Sequence, residues 1–143
     1  MGPIVCATRG GEASRRTQEK AIALARERGA PLVFLFVADT NFAQPSNSSL
    51  ADALADELER LGRGLLYIAR SRAEEQDVSA EMVVRHGAVR QAIEDFLREV
   101  HASALVLGAP GTGSEKKTFS PGELPRFAQE INSSTGVEVI VVG

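Results

Sequence analysis

An open parallel α/β sheet is the fold class this chain predicts, on three observations. Five short apolar stretches alternate with four amphipathic helical stretches. One of the apolar runs, Leu32-Val33-Phe34-Leu35-Phe36-Val37, has no polar member, as in a strand covered on both faces. Two of the strands open directly into glycine-rich loops, at Gly10-Gly11 and at Gly108 to Gly113. Alternation of this kind builds parallel sheets, because parallel neighbours need a crossover that a helix supplies.

The elements follow in order. Ile4 to Ala7 is a short buried strand between Pro3 and the first glycine pair. Ala13, Thr17, Ala21, Leu24 and Ala25 then share one helical face, with Arg15, Arg16, Glu19, Lys20 and Glu27 outward. Gly29 stops that helix and Pro31 leads into the second strand. Asn41 to Ser49 reads as an exposed loop, rich in Asn, Ser and Pro. Leu50, Leu54, Leu58, Leu61 and Leu65, continued by Ile68 and Ala69, predict a long second helix with this stripe as core and Ser49 as its N-cap. Gly62 and Gly64 inside it either kink the helix or admit a close neighbour.

Val78, Ala80, Met82 and Val84 alternate with their neighbours, which predicts a more exposed strand at a sheet edge, ended by Gly87. A third helix carries Val89, Ile93, Phe96, Leu97 and Val100 on one face, and Ala104 to Leu107 is the fourth strand. Leu124, Phe127, Ala128 and Ile131 mark a short fourth helix, with Pro125 tolerated in its first turn. Gly136 turns the chain into the closing strand, Val137 to Val142. The two glycine loops meet at one crevice only if strands 1 and 4 are neighbours, giving the order 3-2-1-4-5 with helices on both faces, a Rossmann-like arrangement. Residues 1–143 read as a single domain, the ordinary size for one core.

Bulk properties exclude several function classes. A net charge of −3 and an aromatic content of 5% argue against a nucleic-acid surface. No apolar run reaches the roughly 18 residues of a membrane span, and no signal peptide is evident, so a cytoplasmic location is expected. The single cysteine, Cys6, suits a reducing compartment and reads as a small buried hydrophobe. His86 and His101 read as structural or solvated, and no cluster has metal-ligand spacing. No nucleophile elbow, acid–base carboxylate pair or base to orient water stands out, so no catalytic residue is assigned.

Glycine lets backbone N–H groups approach an anion, and a following helix adds its positive end. Around the second glycine loop, Thr112, Ser114, Thr118 and Ser120 offer hydroxyls, and Lys116 and Lys117 can neutralise phosphate charge. The plainer alternative is a surface loop with solvated lysines. Asp39, at the end of the second strand, is placed either to reach a ribose-like hydroxyl or simply to turn the chain.

At these residues the chain resembles the universal stress protein family over nearly its whole length. The resemblance rests on the first strand with Gly10-Gly11-Glu12-Ala13-Ser14, on Gly87-Ala88-Val89-Arg90-Gln91-Ala92-Ile93, on Leu105-Val106-Leu107-Gly108 running to Gly111, and on the closing strand. It implies ATP, with Mg²⁺, as the ligand to consider, in a crevice between strands 1 and 4. ATP-binding members carry Gly, two residues, Gly, nine residues, then Gly with Ser or Thr. Gly108 and Gly111 match; after nine further residues stands Pro121, then Gly122, then Glu123 where a hydroxyl is expected. Such members also have Asp where this chain has Arg9, and Ser where it has Gly11. Arg9 either pairs with Glu123 and plugs the site or meets a different anion.

The candidate ligand-binding residues are therefore Thr8, Arg9, Gly10, Val37, Asp39, Gly108, Gly111, Gly113, Ser114, Lys116, Ser120 and Gly122. The expected function is a regulatory or binding module whose nucleotide-type cleft takes ATP weakly or not at all. A slow ATPase or ATP-gated switch is the alternative. The residues themselves fix no cofactor. The resemblance further implies a homodimer through Val137 to Val142, which would cover an apolar edge strand. No protein partner can be named from the residues.

Overall fold

A computed structural model describes residues 2–8, 14–39, 48–108 and 123–142. The element order is β1 (Ile4–Ala7), α1 (Arg15–Arg28), β2 (Leu32–Ala38), α2 (Ser48–Glu75), β3 (Ala80–His86), α3 (Val89–Glu99), β4 (Ala104–Gly108), α4 (Glu123–Thr135) and β5 (Glu138–Val142). The five strands form one sheet in the order β3-β2-β1-β4-β5, and every pairing is parallel. The expected order and fold class are the ones observed. Ile4 lies opposite both Leu32 and Ala104, so β1 is the centre of the sheet and β3 and β5 are its edges.

Side-chain alternation splits the core into two layers. Ile4, Cys6, Phe34, Phe36 and Val106 face α1 and α2, where Ala21, Ile22, Ala25, Leu66, Ala69 and Ala73 meet them. Val5, Val33, Leu35, Leu105 and Leu107 face α3 and α4, where Ile93, Phe96, Leu97, Phe127 and Ile131 meet them. Burial of β2 on both faces accounts for its unbroken apolar run. Gly29 closes α1 in the left-handed conformation, φ 61°, its N–H donating to the Ala25 carbonyl.

Three expectations need correction. Helix α2 starts at Ser48, which puts Ser49 inside the first turn rather than at the N-cap. Its buried face is also rotated from the leucine stripe. Leu66, Ala69 and Ala73 are fully buried, with Leu58 and Leu65 packed partly against them, whereas Leu50, Leu61 and Ile68 are each more than half exposed. Small residues occupy the inner positions and bring the helix close to the sheet, so side-chain size misplaces the face. Strand β3 begins at Ala80, and Val78 is buried in the turn before it.

Candidate functional site

The crevice is set by the connections of β1 and β4. These neighbours pair Cys6 with Val106, yet β1 leads to α1 on one face and β4 leads to α4 on the other. Diverging connections leave a cleft beyond the carboxyl ends of the strands, the usual ligand position in an open α/β sheet. Four of the candidate residues lie among those described. Thr8 follows β1, is 4% exposed, and its backbone N–H donates to the Leu35 carbonyl at 2.9 Å. Gly108 ends β4 and is exposed. Val37 is half-buried near the end of β2 on the α3–α4 layer, and Asp39 follows that strand, half-buried. Arg9, Gly10, Gly111, Gly113, Ser114, Lys116, Ser120 and Gly122 lie outside the described residues, as does any meeting of Arg9 with Glu123.

Helix α1 supplies the floor of the cleft. Thr17 lies against Gly108 so closely that a Cβ there would sit 2.7 Å from the Thr17 Oγ1. Glycine at 108 is thus needed for helix approach as well as for an open backbone. The next residue, Gln18, is 1% exposed and donates from Nε2 to Thr8 Oγ1 at 3.0 Å. Arg72 of α2 donates from Nη1 to Gln18 Oε1 at 2.6 Å. Among the described residues, no buried side-chain N or O lacks a hydrogen-bond partner. Neither Gln18 nor Arg72 figured among the candidates. The signal for Gln18 was present, because it shares a helical face with Ile22 and Ala25; Arg72 has no local signal at all.

His86 is not part of this cleft. It ends edge strand β3, two strands from β1, and its Nε2 lies 3.0 Å from Glu59 Oε1 on α2. That hydrogen bond, with the nearby Arg63 charge, holds the Glu59 carboxyl below its usual range. Cys6 is fully buried and its thiol is pushed up to about 12 by burial, as an inert core residue should be. Among the described residues there is no group of three or more His, Cys, Asp or Glu side chains that could hold a metal ion. None of the described helices is long and apolar enough to cross a membrane.

A five-stranded parallel sheet whose β1 and β4 send their connections to opposite faces defines an open, doubly wound α/β protein. The chain belongs to the universal stress protein family, whose model matches residues 1–143. Three solved structures illustrate the likeness, which at these identities is one of fold. The universal stress protein UspA from Lactobacillus plantarum superposes with a TM-score of 0.80 at 18% identity, covering 99% of this chain and 97% of that one. A universal stress protein in complex with cAMP gives 0.72 at 23% identity, with 99% and 97% covered. The universal stress protein from Archaeoglobus fulgidus in complex with dAMP gives 0.67 at 18% identity, with 100% and 98% covered. No curated protein matches.

Proposed function

We propose that this chain is a regulatory binding module whose crevice takes an adenine nucleotide bearing one phosphate in preference to ATP. The observation that carries the reading is Glu123, with Pro121 and Gly122 before it, at the place where ATP-binding relatives have glycine and a hydroxyl. A carboxylate beside phosphate oxygens repels them, where a hydroxyl would donate a hydrogen bond. The repulsion grows with ligand charge, and ATP carries about four negative charges against about one on a cyclic monophosphate. Two structural neighbours are described as complexes with cAMP and dAMP, which supports the mononucleotide class. Gly108, exposed at the end of β4, supplies an open backbone for such a ligand, and the buried Thr8 supports the neighbouring end of β1.

Calorimetric titration tests this. ATP without Mg²⁺ is expected to bind with a Kd weaker than about 100 μM, cAMP roughly tenfold or more tighter, and AMP between the two. ATP binding at about 1 μM, or equal affinity for all three, rejects the proposal.

The module is further proposed to act as a homodimer through β5. Among the described residues this strand has β4 on one side and no strand on the other, and its Val141 is 43% exposed. An apolar open edge is a template for a second strand, and a twofold pairing covers both copies at once. Light scattering is expected to give twice the mass of one chain, and Val141→Asp to halve it with the circular dichroism spectrum kept. A single-chain mass for the unaltered protein rules the pairing out.

A further inference from the structure

Beneath the ends of β1 and β4 lie the three buried polar side chains found among the described residues: Thr8, Thr17 and Gln18. A primary amide can be placed either way round, and Arg72 decides it here. A guanidinium only donates, so the Gln18 atom 2.6 Å from Arg72 Nη1 is the oxygen. Gln18 Nε2 is left facing Thr8 Oγ1 and donates to it. A directed chain thus runs from α2, across the groove between α1 and α2, to the buried end of β1. The groove holds about 530 Å³ and is open to solvent beside Arg72.

We infer that Arg72 is a positioning residue for the crevice, acting through Gln18 to hold the end of β1 against α1. Its removal leaves Gln18 Oε1 without its donor in a dry site, a costly arrangement for a buried amide. Relief comes by admitting water from the groove or by lifting α1. The turn of α1 that carries Gln18 also carries Thr17 against Gly108, so both strand ends at the cleft lose their support together. The effect on ligand rests on the crevice being the nucleotide site; the effect on α1 does not.

Cys6 reports the lifting of α1. It is the one cysteine of the chain, it has no exposure, and it packs in the layer beneath α1. A thiol reagent reaches it only when that layer opens, so the labelling rate measures the opening. The experiment compares labelling by an aromatic disulfide at pH 8, and AMP affinity, in the unaltered protein, Arg72→Ala, Arg72→Lys, Gln18→Leu and the double variant Gln18→Leu with Arg72→Ala. Ile131→Val, on the opposite layer, is the control for a general loss of stability.

Arg72→Ala is expected to speed labelling roughly tenfold and to weaken AMP binding roughly threefold or more, since a charge-assisted hydrogen bond is lost. Arg72→Lys, which still donates, recovers most of both. Adding Arg72→Ala to Gln18→Leu changes labelling less than about twofold, because the interaction is already gone. Labelling of Arg72→Ala that matches the unaltered protein, or rises no more than in the control at equal loss of Tm, overturns the inference. So does full additivity in the double variant, or AMP affinity that Arg72→Ala leaves unchanged. If the unaltered protein binds no AMP while the labelling pattern holds, the nucleotide reading falls and the hold of Arg72 on β1 stands.

Discussion

Leu66→Ala is expected to destabilise the protein by about 2–5 kcal/mol, whereas Leu61→Ala, five residues earlier on the same helix, is expected to change stability by less than about 0.5 kcal/mol. The two positions lie about 140° apart around the helix axis, and only one of them faces the sheet. Leu66 has no exposure and belongs to the cluster with Phe34, Phe36 and Ala69; Leu61 is 56% exposed. Truncating Leu66 removes buried methyl groups and leaves a cavity among ring and β-branched neighbours that close in only partly. Truncating Leu61 removes surface that water already reaches, and alanine has the higher helix propensity. Urea denaturation measures both, the midpoint falling for Leu66→Ala with an unchanged slope. Equal losses at the two positions would mean that the outer leucines are covered by something other than this chain's own sheet.

The same pair shows what could be read from the sequence. The strands were legible because parallel strands covered on both faces are written as apolar runs, and β2 is the clearest of them. The order 3-2-1-4-5 was legible because two glycine loops have to meet at one crevice. The edge position of β3 followed from its period-two pattern, and Glu81 and Arg85 are indeed exposed. The inner face of α2 was legible only in part: Leu58, Leu65 and Ala69 of the stripe pack on the sheet, whereas Leu50, Leu61 and Ile68 do not. Beside Leu66 the missed inner positions are Gly62 and Ala73, whose small size lets the helix sit close and hides them from a count of large apolar residues. The outer leucines carry the stronger pattern, although they bury little.

At the candidate site the division has a different cause. Gly108 is visible as a loop residue, but its second duty, admitting Thr17, arises only when α1 is laid across β4. Gln18 and Arg72 are separated by 54 positions and meet because α1 and α2 share one face of the sheet. Local periodicity holds no information on such a pair. Thr8 stands between the two kinds: its place at the end of β1 was legible, and its burial under Gln18 was not.

Gly62 and Gly64 carry the second large prediction, and their effects have opposite signs. A Cβ at Gly62 would meet the Phe36 ring at 2.3 Å from Cδ1 and 2.7 Å from Cε1. The ring is 9% exposed and wedged in the α1–α2 layer, so it has to move with its neighbours. Gly62→Ala therefore sets an overpacking cost of about 1–3 kcal/mol against a helix-propensity gain of about 1 kcal/mol. The net is a loss, and Gly62→Val, bulkier and β-branched, loses more. A Cβ at Gly64 meets nothing within 4 Å. Gly64→Ala keeps the propensity gain alone and is expected to stabilise by about 0.8–1 kcal/mol. For a chain of this size a gain of about 1 kcal/mol raises Tm by roughly 2–6 °C, which calorimetry resolves. The contrast discriminates between two accounts of the glycines. If both exist to bend α2, both alanine variants should lose stability. If Gly62 exists to seat Phe36 and Gly64 is merely tolerated on the outer face, the two Tm shifts take opposite signs. Smaller side chains at position 36 then relieve the first: Phe36→Leu, costly alone, should cost less in a Gly62→Ala background, since the methyl group and the ring compete for the same space.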